Sequence, residues 1–381
     1  MESVDSLSKF YLSTASLVSA NDSLNLEVPA GCIPTTFKEY PDDPISHHTE
    51  QLITKVRGTI LMPLLFLIGV SGTCLSLLVF YRQGLGNRIN LCLFSLELVN
   101  LINVTYLFVI NVDSVYLPID DGLYGVVFRV LMERRTLGML GFMYGCMYLQ
   151  GLVSCERCIS VMWPLRARSL FSTTTMVVVI VVGGAVTIFP FFAVVAWHEA
   201  ACLFDPRLHK KKIGMIVNSL YFLNEHIVNG LQGIYYGIIL SLGIPIIVLI
   251  ATIITGLKLK QSIIFRKQAS SSDTKREVAI TKMLVILSIQ FLVLSIPNII
   301  VRIIPLFEPE VRHDGRYNNT FSILINGAET GSIVNSSVNV FVYYFAGTKY
   351  REQVHQVLSY LQTRQDQKIT TEKAKPGILH R

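Results

Sequence analysis

The hydrophobic positions of this chain fall into long apolar runs that are separated by short polar segments. The runs have 19 to 30 residues, and a helix of about 20 residues crosses the hydrocarbon core of a bilayer. Backbone polar groups in lipid must be hydrogen-bonded within their own segment, so runs of this length predict transmembrane helices. The seven runs are Ile60–Tyr81, Ile89–Val112, Leu137–Cys155, Thr175–Trp197, Val228–Leu257, Met283–Val301 and Phe321–Phe345. Seven spans place the two termini on opposite sides of the membrane.

The composition agrees with a membrane protein. Apolar residues make up 51% of the chain and charged residues only 15%, whereas soluble domains carry about 25% charged residues. The net charge of +7 reflects bases that flank the segment between the fifth and sixth runs, where they would meet lipid headgroups. No basic stripe lies on a soluble domain, so the charge does not predict a nucleic-acid partner. We therefore predict an all-α membrane protein whose main partner is the lipid bilayer.

Three regions follow from this pattern: an amino-terminal segment 1–53, a seven-transmembrane helix bundle 54–348, and a tail 349–381. The first region has no basic-then-apolar leader, so we expect the first span to act as the insertion signal. The tail begins with apolar residues at helical spacing beside basic residues, which predicts a short amphipathic eighth helix at the membrane surface. These apolar positions are Tyr350, Val354, Val357, Leu358 and Leu361.

The orientation rests on glycosylation sequons, because Lys and Arg are almost evenly divided between the two sides. Sequons at Asn21 and Asn318 lie on the side opposite Arg157, and glycosylation occurs on exposed loops outside the cytosol. Further sequons at Asn103 and Asn335 lie inside spans, where we expect them to be unused. The sequence thus predicts a multi-pass plasma-membrane protein with an extracellular amino terminus and glycosylation at Asn21 and Asn318.

The sequence contains no pattern typical of an enzyme. It has no phosphate-cradling glycine loop, no His-Glu-x-x-His and no paired carboxylates within one span. The pair Cys155 and Cys158 has no second pair of cysteines or histidines at metal-ligand spacing to complete a site, so we expect neither a metal nor a cofactor. A seven-span transporter remains an alternative, although transporters tend to contain repeated halves and no repeat is evident.

Two segments resemble rhodopsin-like (class A) G-protein-coupled receptors. Ser154–Arg168, SCERCISVMWPLRAR, is similar to their acid-arginine-aromatic motif and the proline-leucine loop that follows it, with Cys158 in place of the usual tyrosine. Asn335–Tyr350, NSSVNVFVYYFAGTKY, is similar to their asparagine-proline-x-x-tyrosine segment, with Val340 in place of proline. The resemblance covers Ile60 to about Leu361, and is greatest to divergent invertebrate neuropeptide or chemosensory receptors.

The resemblance implies a coupling mechanism. Glu156 and Arg157 would form a resting ion pair that opens to engage a heterotrimeric G protein, with Asn339 and Tyr343 as further members of this switch. Helix motion would depend on an activation hinge at Phe291, Pro297 and Pro245, because proline removes a backbone hydrogen bond and leaves a local kink. Several usual supports differ, at Thr73, Ile253, Ser295 and Val340. A receptor-like protein that no longer couples is therefore a further alternative.

Glu97 is an acid inside the second run, three residues from Asn100, which stands where the family has a sodium-binding aspartate. An acid within a span should face the bundle interior. In one interpretation Glu97 is simply a hydrogen-bonded packing residue. In the other, Glu97, Asn100, Cys146, Asn335 and Asn339 form an interior polar network that takes over the role of the family's sodium site.

The ligand is less well determined by the sequence. Amine-receptor and opsin signatures are absent, since Met139 and Ile333 stand at the diagnostic positions. Arg302 and Glu329 could face each other across an outer vestibule or read the carboxylate and amine of a ligand, and a structural clasp is the competing interpretation. The predicted pocket residues are Asn111, Tyr144, Gln232, Tyr235, Tyr236, Asn298, Arg302, Asn326 and Glu329.

A single disulfide is predicted at the outer surface. The family normally ties the long loop 198–226 to a cysteine at the top of the third span, but Met132 occupies that position. Cys32 and Cys202 are the two cysteines predicted on the outer side of the membrane, in an oxidising compartment. We therefore expect these two cysteines to pair. The basic run in the loop suits a peptide or an acidic small molecule as the ligand, although such a run is also typical of a solvated surface.

Together these features predict a non-enzymatic receptor that binds an extracellular peptide or small chemosensory molecule and activates a heterotrimeric G protein through Arg157.

Overall fold

The computed structural model describes residues 32–34, 40–116, 123–124, 126–134, 136–163, 166–167, 172–205, 210–218, 221, 224–266, 272–311 and 315–373. Long α-helices dominate this part of the chain. In chain order they are α1 His47–Val56, α2 Met62–Gln83, α3 Arg88–Tyr116, α4 Val126–Glu133, α5 Gly141–Met162, α6 Thr173–Ile188, α7 Pro190–Ala196, α8 Glu225–Asn229, α9 Ile244–Arg266, α10 Ser272–Phe307, α11 Asn318–Ala346 and α12 Thr348–Lys373.

Shorter helical turns join some of these helices. The π-helical segments Arg57–Leu61 and Gly230–Gly243 lead into α2 and α9, and the 3₁₀ turn Thr136–Leu140 leads into α5. A π-helix is rare beyond a single turn, so the segment Gly230–Gly243 is unusual in its length. Pro245 is the second residue of α9 and directly follows this segment.

Six helical stretches in the described residues are long and apolar enough to cross a membrane. They are His47–Gln83, Arg88–Asn111, Leu137–Met162, Thr173–Ala196, His226–Gln261 and Val278–Pro305, and each contains one of the first six predicted runs or most of it. The helix bundle of this chain is therefore that of an all-α membrane protein. The seventh run lies in α11, which is not among the six because polar residues such as Asn326, Glu329 and Asn335 interrupt it. That α11 spans the membrane stays a prediction.

The first helical stretch begins earlier than the sequence predicted. Ser46 caps its start by accepting a hydrogen bond from the backbone N–H of Thr49, and a serine at this position satisfies an otherwise unpaired donor. The helix runs on without a break through Arg57–Leu61 into α2. The predicted boundary between residues 53 and 54 thus falls inside a helix.

Helix α5 is the central element of the bundle. It packs against α3, α6, α9 and α10, and 67% of its most apolar window is buried, compared with 17% for Thr173–Ala196. The outer surface of α6 is apolar, with Val178, Val181 and Val182 exposed, as expected for a helix that faces lipid rather than water. Helix α11 packs against α10, α2 and α3 and closes the bundle on the other side.

A small four-stranded sheet covers one end of the bundle and was not predicted. Its order is β1-β3-β4-β2, where the strands are β1 Cys32–Pro34, β2 Leu123–Tyr124, β3 His198–Asp205 and β4 Lys210–Val217. Within the long loop 198–226, β3 and β4 thus form an antiparallel hairpin, and β1 pairs with β3 in parallel. We call this end of the bundle the sheet end and the opposite end the Arg157 end.

Helix α12 follows α11 after Gly347 at the Arg157 end. Tyr350, Val354 and Val357 are buried, and the Tyr350 hydroxyl lies 2.9 Å from Ser76 Oγ of α2. These are apolar positions of the predicted amphipathic helix, and they face the bundle. That α12 lies on a membrane surface stays a prediction.

Candidate functional site

Glu156 is the centre of a buried ion-pair cluster at the Arg157 end. Its side chain is 2% exposed, and its Oε2 accepts a hydrogen bond from Arg157 Nε at 2.7 Å. Its other oxygen, Oε1, lies 2.9 Å from Arg88 Nε and accepts a hydrogen bond from Ser160 Oγ at 2.9 Å. A buried carboxylate is tolerated when it is paired and fully hydrogen-bonded, and Glu156 meets both conditions.

Arg88 is a member of this cluster that the sequence analysis missed. It is the first residue of α3, and besides Glu156 it binds the backbone carbonyl of Ala167 at 2.8 Å and Ser160 Oγ at 3.1 Å. No spacing rule connects Arg88 to Glu156, because the two residues are far apart in the chain. Arg88 therefore links α3, α5 and the segment after α5 in a way that only the fold reveals.

A second contact near Arg157 joins α5 to α10. Ser154 Oγ lies 2.9 Å from Ser288 Oγ, and both residues are buried. Ser154 precedes Arg157 by about one helical turn. Any outward movement of α10 at this end would have to break this hydrogen bond.

Glu97 lies in a separate polar network in the bundle interior. It is 1% exposed, and its Oε1 accepts hydrogen bonds from Tyr343 Oη at 2.8 Å, Asn339 Nδ2 at 3.1 Å and Asn100 Nδ2 at 3.4 Å. Asn100 in turn accepts a hydrogen bond from Ser336 Oγ at 2.9 Å. Asn339 was assigned both to this network and to the coupling switch, and Tyr343 to the switch alone; the structure brings both side chains to Glu97.

Gln290 completes this network and was also missed. Its Nε2 donates to Asn339 Oδ1 at 2.9 Å and to the Asn335 backbone carbonyl at 3.1 Å. Asn335 therefore joins the network through Gln290. Cys146, the remaining predicted member, lies on the wall of a neighbouring cavity.

That cavity has a volume of about 30 Å³ and lies between α5, α10 and α11. Its wall includes Met143, Cys146, Met147, Phe291, Asn298 and Asn335. Space of this size holds about one or two water molecules. Among the predicted hinge residues, Phe291 lines the cavity and Pro297 lies one residue from Asn298 within α10.

Gly331 allows α11 to approach α10 closely beside Pro297. A Cβ atom at Gly331 would lie 2.7 Å from the carbonyl oxygen of Leu294, a distance that real Cβ atoms essentially never show. The backbones of α10 and α11 therefore approach each other closely beside Pro297, and a larger residue at position 331 would force the two helices apart.

In the described part of the chain, the predicted ligand residues make contacts in several separate places. Asn298 lines the cavity, and the Tyr144 hydroxyl accepts a hydrogen bond from Arg302 Nη2 at 2.7 Å. The other side chains have partners elsewhere: Asn111 binds the Leu107 carbonyl, Tyr235 the Val186 carbonyl and Tyr236 the Thr187 carbonyl. Gln232 is half-buried on the π-helical segment.

The predicted pairing of Arg302 with Glu329 is wrong. Glu329 Oε2 lies 2.6 Å from Arg57 Nη2, and Arg57 also donates to Asn326 Oδ1 and to Thr330 Oγ1 at 2.9 Å. Arg57 precedes the first predicted run and was not considered, yet the helix extends back far enough to bring it against α11. Glu329 and Asn326 thus belong to a clasp between the first helix and α11.

At the sheet end, Cys32 and Cys202 are joined by a disulfide and lie opposite each other in the parallel pair β1–β3. Asn21 lies outside the described residues. Asn318 is the first residue of α11, and the Thr320 hydroxyl of its sequon donates to Asp43 Oδ1 at 2.6 Å. No cluster of His, Cys, Asp or Glu suited to a metal ion occurs among the described residues.

The chain matches one known family. The family model described as serpentine type 7TM GPCR chemoreceptor Srw matches residues 146–360, a range that contains Glu156, Arg157, Arg302 and Tyr343. This family is a class of receptors rather than of enzymes. No curated protein matches the chain. Because residues 146–360 are more than half of the 381 residues, the chain belongs to the serpentine type 7TM GPCR chemoreceptor family Srw.

Proposed function

We propose that this protein is a chemosensory receptor of the plasma membrane that binds an extracellular ligand and activates a heterotrimeric G protein through Arg157. The observation that carries the proposal is the buried Glu156–Arg157 pair, held at the end of the bundle opposite the sheet. Opening such a pair costs little free energy when both side chains find new partners. A charge that is left buried without a partner strongly destabilises the protein. A G protein that engages Arg157 would supply the new partner.

The sheet end supports the proposed orientation. The bond between Cys32 and Cys202 belongs in an oxidising compartment, which supports an extracellular sheet end, extracellular amino terminus and cytosolic Arg157. The same orientation exposes Asn21 and Asn318 to glycosylation. In this arrangement α11 is the seventh span and α12 is an interfacial eighth helix. The cytosolic end of the bundle then contains Glu156, Arg157 and Arg88 in one buried cluster.

The proposed activation step is an outward movement of α10 at the Arg157 end. Pro297 leaves a local hinge in α10, and the Ser154–Ser288 hydrogen bond holds the lower part of α10 against α5. Phe291 lines the cavity and follows Ser288 by three residues in α10, so it connects the cavity to this contact. A ligand that fills the cavity from above would displace Phe291 and weaken the α5–α10 contact, which gives the switch a path from the ligand to Arg157.

A small chemical is favoured over a peptide as the ligand. The family is a chemoreceptor family, and the cavity of about 30 Å³ admits only a small group without rearrangement. The similarity to rhodopsin-like receptors rests on the two motif segments, and it supports coupling rather than a neuropeptide ligand.

Nucleotide exchange measured on the purified receptor with heterotrimeric G proteins tests this proposal without a known ligand. Glu156→Gln removes the charge that restrains Arg157, so we expect basal exchange to rise several-fold. Arg157→Ala in the same background should return exchange to the level of the G protein alone. Arg129→Gln is the matched control, since Arg129 is exposed and pairs with Glu133 at the sheet end.

Exchange by the Glu156→Gln variant that survives Arg157→Ala would overturn the coupling role of Arg157. No exchange by either wild type or Glu156→Gln, tested against each class of G protein, would favour the non-coupling alternative. Uptake of solutes by the reconstituted receptor would instead favour a transporter.

A further inference from the structure

Arg302 lies about one helical turn beyond the cavity wall, toward the sheet end. It follows Asn298, a cavity-lining residue, by four positions and so lies on the same face of α10. Its Nη2 donates to the hydroxyl of Tyr144 at 2.7 Å. Tyr144 is adjacent to Met143, which also lines the cavity. The Arg302–Tyr144 hydrogen bond therefore crosses from α10 to α5 over the top of the cavity.

The charge of Arg302 is not balanced by a carboxylate. Four arginines whose side chains the structure describes are at least partly buried: Arg57, Arg88, Arg157 and Arg302. The first three pair with Glu329 or Glu156. Arg302 has no carboxylate within 4.0 Å among the described residues, and its partner Tyr144 is a neutral phenol. Glu329, the carboxylate that the sequence analysis set opposite Arg302, is held by Arg57.

Arg302 also has an unused donor. Its Nε is buried and makes no hydrogen bond within the described part of the chain. A buried donor without a partner is unfavourable, and an unpaired charge inside a membrane protein is more so. Charged groups in this situation mark a site where a ligand or ion completes the pairing. An anion beside Arg302 would satisfy both the charge and the Nε donor.

We propose that Arg302 binds the carboxylate of a small ligand whose short apolar body enters the space below, which widens beyond its resting volume of about 30 Å³ to hold it. The guanidinium presents parallel donors that match a carboxylate in a two-pronged hydrogen bond. Met143, Met147, Phe291 and Leu294 supply an apolar wall for the body of the ligand. This inference rests on the proposed receptor function and specifies the chemical class of its ligand.

Tyr144 acts in this proposal as the group that the ligand displaces. It is 1% exposed and packs against Tyr236 and Phe191, so its hydroxyl position is well defined. A carboxylate is a stronger acceptor for a guanidinium than a phenol is. Release of Tyr144 from Arg302 would separate α5 from α10 at the top of the cavity and let the apolar body reach Phe291.

Thermal unfolding of the purified receptor in lipid nanodiscs tests the inference without G protein. The probes are acetate, butyrate, hexanoate and phenylacetate, each paired with its neutral primary amide, together with the tripeptide Ala-Ala-Leu and its carboxy-terminal amide. We expect at least one acid to raise the unfolding midpoint of the wild type while its amide does not. The free acids and the tripeptide distinguish a small-molecule carboxylate from a peptide carboxy terminus.

Three variants locate the effect. Arg302→Gln should abolish the shift, and Arg302→Lys should retain a weaker one because lysine keeps the charge without the fork. Tyr144→Phe removes the competing acceptor, so the same shift should require about tenfold less acid. Arg129→Gln, which removes an exposed arginine at the same end, should leave the shift unchanged.

The outcomes separate this inference from the receptor proposal. If the amides shift the midpoint as much as the acids, if Arg302→Gln keeps the full shift, or if none of the acids shifts it, Arg302 does not read a carboxylate. Nucleotide exchange by Glu156→Gln tests coupling independently. An acid-specific shift that depends on Arg302, in a receptor that fails to promote exchange, would leave the binding site standing and overturn only the coupling.

Discussion

Arg88 Nε lies 2.9 Å from Glu156 Oε1, on the carboxylate oxygen that Arg157 does not use. Glu156 is therefore shared between two arginines from different helices, and Ser160 provides a further donor. Glu156 restrains the motif arginine Arg157, and Arg88 of α3 in turn holds Glu156 in place. The resting position of Arg157 thus depends on a residue that lies outside the motif.

Replacement of Arg88 should destabilise the receptor. Arg88→Gln removes the contact with Glu156 and weakens the tie to the Ala167 carbonyl, so we expect a loss of about 2–3 kcal/mol in the free energy of unfolding. Denaturant unfolding of the purified protein measures this change. Arg351→Gln, at an exposed position of the same end, serves as the control. A stability equal to that of the control would show that Arg88 contributes nothing to the cluster.

The Glu97 network should behave as one coupled unit. Tyr343→Phe removes the shortest of its three hydrogen bonds, and we expect a loss of about 1–2 kcal/mol. A double-mutant cycle with Glu97→Gln isolates the coupling between the two side chains. Strictly additive effects in this cycle would mean that the hydrogen bond carries no coupling energy.

The functional interpretation of Glu97 makes a separate prediction. If the network replaces the family's sodium site, basal nucleotide exchange should differ between sodium and potassium buffers, and Glu97→Gln should remove the difference. The packing interpretation predicts that exchange ignores the cation in both proteins. The measurement therefore chooses between the two interpretations.

Enlargement of Gly331 should separate α10 from α11. The added methyl group of Gly331→Ala would meet the Leu294 carbonyl oxygen at 2.7 Å, and overpacking of this kind costs about 1–3 kcal/mol. Gly327→Ala is the matched control on the same helix, because its nearest contact, Pro297 Cβ, is 3.9 Å away. Alanine at 327 should stabilise the helix slightly. Equal unfolding midpoints for the two variants would contradict the close approach at Gly331.

Loss of the disulfide should weaken the sheet end. Cys202→Ser opens a bond between residues that are 170 positions apart, and we expect a loss of about 2–4 kcal/mol. Cys74→Ser, at an exposed free cysteine, should have no comparable effect. Peptide mapping under non-reducing conditions checks the bond directly, and recovery of both thiols in free form would refute it.

The apolar runs alone determined that the bundle is built from membrane helices. Helix formation in lipid is a local requirement, because each backbone group must find its partner within the same segment. For this reason six predicted runs lie in helices long and apolar enough to span a bilayer, although the first helix begins earlier than its run. The seventh run lies in the more polar helix α11, and its apolar composition alone does not establish that it spans the membrane.

Only the tertiary structure decided which polar side chains meet. Arg88 binds Glu156, Arg57 binds Glu329, and Arg302 binds Tyr144, and each pair joins residues from separate helices. Such contacts depend on the rotation and tilt of every helix about its axis, which helix–helix packing sets and which no periodicity along the chain encodes. The sequence identified Arg302 and Glu329 as interior charges, but the fold gives them different partners. Arg57 pairs with Glu329, and Arg302 instead contacts the neutral phenol of Tyr144 near the cavity.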